Sequence, residues 1–303
     1  MHTVSDKSLK SHLCRFLFAT VIVGLVFFTV AADCVVTAGE TADSDLKPMR
    51  LLVPAYFYPA GEGLECWNRL IASHDPRQNI EIVAIANINS GKVGSAVDPN
   101  YADVIRRAAK QGLTVIAYIT SDYANAHGIS PLQDAKENVT NWFKLYPELR
   151  GVFIDEQSSD AAPIASYYLP LRTQIAAIKA DALVVGNPGN NCVEDYLAKR
   201  PGGPIMDVVI IHENNETKLP YRDALPATWM SDYSPNRFAM LVHTSQTFAA
   251  QLRLAKKRRT AYVFVTDAIG PPPETIHPWG KLPSYWADEL QMVGALNDQR
   301  PQR

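Results

Sequence analysis

Two adjacent acids, Asp155 and Glu156, are the strongest chemical signal in the sequence, because they follow directly on an apolar run at residues 151–154. Two carboxylates this close repel each other when both are ionised, and partial burial raises the pKa of one of them. Such a pair supplies a proton donor near neutral pH beside an anion. The pair also fits a helix N-cap followed by a solvated glutamate, or a salt bridge to a nearby Lys or Arg.

Glu213 repeats this pattern, since it follows His212 and the apolar run 208–211. If Asp155 and Glu213 end strands that lie two apart in one closed sheet, the acids face each other across a gap the size of a sugar ring. Paired carboxylates on the two sides of a glycosidic bond are the usual equipment of glycoside hydrolysis. The candidate catalytic residues are therefore Asp155, Glu156 and Glu213.

Eight short apolar runs, separated by amphipathic stretches, indicate the fold class. The runs are rich in Val and Ile and lack strict alternation, as expected of parallel strands buried on both faces. They are Leu51–Phe57, Ile80–Ala86, Thr114–Ile119, Gly151–Asp155, Leu183–Asn187, Asp207–His212, Phe238–His243 and Ala261–Val265. Eight strand-then-helix units without a domain linker predict an α/β protein with a single (β/α)₈ TIM barrel. A doubly wound open sheet is the alternative.

Helical patterns lie between most of these runs. Asp98 has the character of an N-cap, Pro99 follows it at the first helical position, and Gly112 ends that helix. Weaker helices are expected after the fifth and sixth strands. The remaining helices are predicted at residues 131–146, 163–180, 246–257 and 284–296.

Functional residues of a barrel gather at the carboxyl ends of its strands. Polar and aromatic residues follow nearly every apolar run here, although loops are polar for ordinary reasons as well. Aromatic rings at these positions, including Trp279, could stack on sugar rings. The candidate substrate-binding residues are Tyr56, Tyr58, Asn87, Tyr118, Thr120, Tyr123 and Asn187.

The N-terminus has the pattern of a secretory signal. Basic residues precede an uninterrupted apolar stretch at residues 16–32, and small residues follow it, with cleavage expected after Ala32 or Ala38. An uncleaved membrane anchor is the alternative. We expect a secreted protein without stable membrane association after cleavage. Its predicted segments are 1–38 (signal peptide and short leader), 39–49 (polar spacer), 50–298 (barrel) and 299–303 (tail).

Composition limits the partners and cofactors. The 303 residues include 29 Lys and Arg against 31 Asp and Glu, and this balanced charge argues against nucleic acid as an obligate partner. The sequence has no Gly-x-Gly-x-x-Gly after its first strand and no P-loop, so we expect no nucleotide cofactor. The histidines lack zinc-ligand spacing, and no metal is expected. Cys66 and Cys192 fit either a disulfide or two separate buried thiols.

An ordered series of short motifs resembles the spherulin-4 group, spherulation-specific family 4. The motifs are Val53-Pro54-Ala55-Tyr56-Phe57-Tyr58-Pro59, Ala86-Asn87-Ile88-Asn89-Ser90-Gly91, Tyr118-Ile119-Thr120, Gly151-Val152-Phe153-Ile154-Asp155-Glu156, Gly186-Asn187-Pro188-Gly189, Glu213 and Leu282-Pro283-Ser284-Tyr285-Trp286. The resemblance implies a (β/α)₈ barrel. For fungal members it also implies an endo-acting glycoside hydrolase that cleaves exopolysaccharide containing N-acetylgalactosamine. The family's acids fall on Asp155, Glu156 and Glu213.

One loop departs from the family pattern. Residues 87–94 read Asn-Ile-Asn-Ser-Gly-Lys-Val-Gly, where the family usually has Asn-Pro-x-Ser-Gly-Pro-Gly. Because both prolines are replaced, we expect a looser loop, which leaves room for a difference from the family in the exact glycan.

The residues leave several mechanisms open. In the favoured one, Glu156 protonates the leaving oxygen while Asp155 orients a 2-acetamido group that acts as internal nucleophile, and Glu213 binds sugar or stabilises the positive ring. In a variant, Glu213 is the nucleophile or general base and Glu156 is the acid. The alternatives from other classes are a catalytically inactive carbohydrate-binding barrel at the cell surface and a metal-assisted hydrolase that uses His212 and Glu213.

Overall fold

Eight parallel strands close into a barrel in which each strand pairs with its neighbours along the chain and the last pairs with the first. The computed structural model describes residues 48–125, 127–216, 226–269 and 277–298. The predicted barrel is confirmed, whereas the predicted leader and tail lie outside the described residues. The strands are β1 Arg50–Ala55, β2 Ile82–Ala86, β3 Thr114–Thr120, β4 Gly151–Asp155, β5 Leu183–Gly186, β6 Val208–Asn215, β7 Phe238–His243 and β8 Tyr262–Val265.

The strands are continuous apolar segments because both of their faces are covered. Every residue of β2 and of β8 is buried, and in β4 burial is broken only at its last residue, Asp155. Inward-facing side chains fill the barrel and outward-facing ones pack against the surrounding helices, so an alternating pattern would leave polar groups buried.

Six α-helices of the described residues surround the strands. The second of them begins and ends as predicted: Asp98 caps its first turn by accepting from the backbone N–H groups of Asn100 and Tyr101, and Gly112 ends it in a left-handed conformation. The helices are α1 Glu62–Ala72, α2 Pro99–Gln111, α3 Leu132–Leu145, α4 Leu169–Ile178, α5 Phe248–Lys257 and α6 Trp286–Asp298.

Two predicted helical regions differ from expectation. The stretch predicted at 163–180 begins with a π-helical turn, Ile164–Tyr168, before α4. After β5 the structure has only a 3₁₀ turn at Glu194–Tyr196, since prolines and glycines at residues 188–189 and 201–204 prevent a longer helix there. After β6, residues 217–225 lie outside the described part, and the following segment contains a 3₁₀ turn at Thr228–Asp232.

Side chains of the last helix, α6, hold the first and last strands of the barrel together. The side chain of Asn297 on α6 accepts from the backbone N–H of Met49 and donates to its carbonyl, which holds the chain just before β1. On the same helix, the fully buried Glu289 accepts from the backbone N–H of Val265 at the end of β8. Strands β1 and β8 pair over only two register positions, so these side-chain contacts strengthen a short seam.

Of the two arrangements expected for the cysteines, the structure has separate thiols and not a disulfide: Cys192 is buried and Cys66 is half-buried. Across the described ranges, no helix is long and apolar enough to cross a membrane.

Gly151 is expected to be intolerant of any side chain. A Cβ at Gly151 in β4 would lie 2.1 Å from the carbonyl oxygen of Leu183, its partner in β5. Gly151→Ala should lower the free energy of unfolding by more than about 3 kcal/mol in a urea titration. Gly294→Ala is the matched control, because a Cβ there meets only Ile80 at an ordinary 3.5 Å. The control should be neutral or stabilising by about 0.5–1 kcal/mol, and equal losses in both variants would contradict the packing argument.

Candidate active site

The end of β4 directs Asp155 into the mouth of the barrel. Its Oδ2 accepts from the hydroxyl of Tyr118 at 2.7 Å, and its Oδ1 accepts from the backbone N–H of Glu156 at 2.9 Å. Glu156 adopts a left-handed conformation with φ 51°, which turns the chain sharply after the strand. The Ser121 hydroxyl fixes this turn by donating to the carbonyl oxygens of both acids. Positive φ at a non-glycine residue is backbone strain of the kind found at functional sites.

The side-chain amide of Asn187 joins Asp155 to Glu213. Its Nδ2 donates to Asp155 Oδ1 at 2.7 Å and also to Glu213 Oε2. Its Oδ1 accepts from the backbone N–H of Gly189 at 3.0 Å, which fixes the amide with its nitrogen toward the acids. Because both hydrogen bonds are donated by one nitrogen, the nearest oxygens of the two carboxyls lie within about 5 Å of each other. Asn187, which the sequence predicted as a substrate-binding residue, contacts the two acids in the structure.

Glu213 reaches this position through an irregularity in β6. The register between β6 and β7 shifts between Ile210 and His212, so one extra residue precedes Glu213. Such a bulge bends the strand and changes the direction of the side chains that follow it. The carboxyl of Glu213 then accepts from Asn187 at one oxygen and from the indole N–H of Trp279 at the other, at 3.2 Å.

Burial and mutual repulsion separate the protonation behaviour of the two acids. Desolvation, followed by the charge of Asp155, raises the pKa of Glu213 to about 7. Burial also raises the pKa of Asp155, but the hydrogen bonds from Tyr118, Glu156 and Asn187 oppose that rise. Asp155 accepts three hydrogen bonds and Glu213 accepts two, and each such bond favours the charged form. The proton that the pair shares near neutral pH therefore lies on Glu213.

Glu156 lies beside this pair, against the β3 side of the mouth. Thr120, the last residue of β3, donates to its Oε2 at 2.5 Å. The next residues, Asp122 to Ala124, form a turn with three consecutive positive φ angles. That turn is fastened by the backbone N–H of Tyr123, which donates to the carbonyl of Glu156 at 2.7 Å. It leaves Tyr123 60% exposed beside the acids, so its ring is available to a ligand.

An aromatic group lines the β1 side of the mouth. The ring of Tyr56 contacts Tyr118 edge-on at 5.3 Å and His277 at the same centroid distance. Burial, followed by the charge of Asp155, raises the pKa of Tyr56 well above its usual value. The structure thus brings Tyr56, Tyr118, Thr120, Tyr123 and Asn187 together with the three acids.

Two predicted substrate-binding residues have their contacts elsewhere. The hydroxyl of Tyr58 donates to Asp98 and accepts from Asn100, and its ring packs on Tyr101, at the start of α2. The side chain of Asn87 accepts from the backbone N–H of Gly91, within its own loop. Both residues follow strand ends as predicted, but position at a strand end does not fix which way a loop side chain turns.

Trp279 is not placed for sugar stacking, since only 3% of it is exposed. Sequence reasoning missed its contact with Glu213, because 66 residues separate the two and no spacing signal connects them.

His212 is buried, and desolvation lowers its pKa to about 3, so it is neutral. Within the described ranges, no group of three or more His, Cys, Asp or Glu side chains is close enough to hold a metal ion.

The part of the chain that forms the barrel and carries its three acids matches a known protein family. The model of spherulation-specific family 4 matches residues 50–293, which spans all eight strands and the three acids. The chain belongs to spherulation-specific family 4. Among curated relatives, spherulin-4 of Physarum polycephalum is 25% identical over 260 residues, which covers 83% of this chain and 72% of the relative.

Solved structures give more distant likenesses. A chitinase from Chromobacterium violaceum is 11% identical, with a TM-score of 0.48 over 85% of this chain and 100% of that one. A β-mannanase from Thermomonospora fusca, solved with mannotriose, is 14% identical, with a TM-score of 0.48 over 83% of this chain and 91% of that one. At these values the likenesses bear on neither substrate nor chemistry.

Glu213→Gln is expected to change how stability depends on pH. The pKa of Glu213 lies at about 7 in the folded protein, against an ordinary value of 4.5. Its protonated form therefore contributes stability that is complete below the ordinary value and is lost as the pH rises through about 7. Relative to the Gln variant, the free energy of unfolding of the wild type should fall by up to about 3 kcal/mol across that range.

Urea titrations at a series of pH values measure this difference. Glu137→Gln on α3 is the control, since Glu137 is exposed and its replacement should leave the pH dependence of the wild type unchanged. A constant difference between wild type and Glu213→Gln would show that Glu213 titrates normally.

Proposed function

We propose that this member of spherulation-specific family 4 is a secreted glycoside hydrolase, endo-acting on a polysaccharide that contains N-acetylgalactosamine. The observation that carries the proposal is the pair Asp155 and Glu213, whose nearest oxygens are held within about 5 Å of each other by one amide. Such closeness favours the retaining class of glycosidases, whose carboxyls lie about 5 Å apart and of which one is the nucleophile, over the inverting class, whose carboxyls lie about 6.5–9.5 Å apart. The leader pattern at residues 1–38 supports secretion, and the family resemblance supports the substrate.

The protonation of the pair supports separate roles for its members. Asp155, whose three hydrogen bonds favour the anion, attacks the anomeric carbon as the glycosidic bond breaks. Glu213 gives its proton to the leaving oxygen in the same step. Glu213, now a carboxylate, then takes a proton from water, and that water cleaves the ester between the sugar and Asp155. The second step restores both groups.

Glu156 has a supporting role in this scheme, which differs from the role that the sequence favoured for it. Its carboxylate accepts a hydrogen bond from Thr120 on the β3 side of the mouth. There it can also accept a hydrogen bond from a hydroxyl or amide of the sugar. In the substrate-assisted scheme, Glu156 is the acid and Asp155 orients a 2-acetamido group. That scheme predicts that Glu156→Gln, and not Glu213→Gln, removes the proton donor.

Replacing either member of the pair is expected to lower turnover strongly. Glu213→Gln and Asp155→Asn should each lower kcat about 10²- to 10⁴-fold on a polysaccharide rich in N-acetylgalactosamine, since each removes a group that transfers a proton or forms a bond. Glu156→Gln should lower it about tenfold, and Glu137→Gln should not change it. Released oligosaccharides measure these rates. If Glu156→Gln loses turnover and Glu213→Gln keeps it, the substrate-assisted scheme holds instead.

Stereochemistry and pH supply independent tests of the same roles. Proton NMR of the first products should show retained anomeric configuration; inversion would exclude a protein nucleophile. Activity should fall as the pH rises through about 7, where Glu213 loses its proton. Polysaccharide binding without released oligosaccharides at any pH would select the inactive binding barrel. Loss of activity in strong chelator would select the metal-assisted hydrolase.

A further inference from the structure

The indole of Trp279 occupies the one oxygen of Glu213 that Asn187 does not reach. Its Nε1–H donates to Glu213 Oε1 at 3.2 Å, while the amide of Asn187 donates to Oε2. An indole N–H can donate but cannot accept. Both oxygens of the carboxyl are therefore held by donors, and the orientation of the carboxyl plane is set from two sides.

The ring of Trp279 is itself held in place by β7 and β8. It meets His243 edge-on at 5.8 Å and an interplanar angle of 85°, and it packs on Phe264 at 6.0 Å. Its backbone N–H donates to the Nδ1 of His277. With only 3% of the residue exposed, the indole has no room to swing away from Glu213 without leaving a cavity.

We propose that Trp279 is a positioning residue for the hydrolysis, which aims the carboxyl of Glu213 and stabilises the carboxylate left after its proton has moved to the leaving oxygen. This inference rests on the proposed function. In the step concerned, the O–H bond of Glu213 breaks and an O–H bond forms on the leaving sugar. A hydrogen bond to a charged oxygen is stronger than one to a neutral oxygen. The contact with Trp279 therefore strengthens as the proton leaves, which is when it aids the reaction.

Other ionisable groups also act on Glu213. They must be the same in the wild type and in any variant of Trp279 with which it is compared. Asp155 of β4 is its nearest charged neighbour and raises its pKa. Further ionisable groups around Glu213 or behind Trp279 include Glu156 after β4, His212 of β6, Tyr56 after β1, Tyr118 of β3, Tyr123 in the loop after β3, His243 of β7 and His277. None of these ionisable groups is replaced when Trp279 is changed to Phe.

Trp279→Phe tests the contact, because it removes the N–H while keeping an aromatic ring. We expect kcat on the polysaccharide rich in N-acetylgalactosamine to fall about 10- to 100-fold, with little change in KM. The fall of activity at high pH should move upward by about one pH unit, since the carboxylate loses a donor. The titration midpoint of the Glu213 carboxyl, followed by NMR of protein labelled with ¹³C-glutamate, should move by the same amount.

Trp286→Phe is the matched control. Trp286 is equally buried at 3% exposure and also packs on Phe264, but its N–H donates to the hydroxyl of Ser73, away from the acids. It should leave the Glu213 midpoint and the pH profile unchanged. An unmoved midpoint in Trp279→Phe, or an equal shift in Trp286→Phe, would overturn the proposal.

A pH titration of the wild-type protein tests the contact without any variant. The indole N–H resonance of Trp279 should change with pH at the midpoint of Glu213, near 7, and a flat resonance there would refute the contact. These titrations do not require substrate. Inactive wild-type protein with the expected titrations would therefore count against the hydrolase and leave the contact between Trp279 and Glu213 established.

Discussion

The two hydrogen bonds from the amide of Asn187 to Asp155 and Glu213 are the interaction on which the site depends. A neutral donor between two carboxyls brings them close without cancelling their charge, so their repulsion and their burial remain. A cation at the same place would ionise both acids and leave no proton to transfer. The amide instead permits one anion and one acid to exist side by side near neutral pH. This difference between otherwise similar groups is what acid and nucleophile chemistry needs.

The barrel contributes the positions from which these groups converge. Asp155 ends β4, Asn187 directly follows β5 and Glu213 lies on β6, so three consecutive strands of one parallel sheet supply the centre. Parallel strands end at the same rim, and the closed sheet curves those ends toward one another. The bulge in β6 adds the local correction for Glu213. The short seam between β1 and β8 lies on the opposite side of the barrel from this centre.

Packed aromatic rings surround the acids and control how much water reaches them. Tyr118, which packs on Tyr56, contacts Asp155, and Trp279 contacts Glu213. Their rings exclude solvent, which raises the pKa of the acids, while the hydroxyl of Tyr118 and the indole N–H of Trp279 offset part of that rise. The same side chains therefore set both the dielectric surroundings and the hydrogen bonds, and exposed Tyr123 is left to meet a ligand.

The barrel, the order of its strands and the three acids at strand ends could all be predicted from the sequence alone. Strands buried on both faces must be apolar throughout, so eight Val- and Ile-rich runs and the acids that end two of them are visible without a structure. The contacts among these residues could not be predicted, because they depend on how the folded chain packs. The bridge from Asn187, the contact of Trp279 with Glu213 and the turning of Tyr58 and Asn87 toward their own loops join residues through space. Loop direction and a bulge decide such contacts, and neither leaves a periodic signal in the chain. The protonation of Glu213 follows from burial and from Asp155 across the mouth, and both exist only once the barrel has closed.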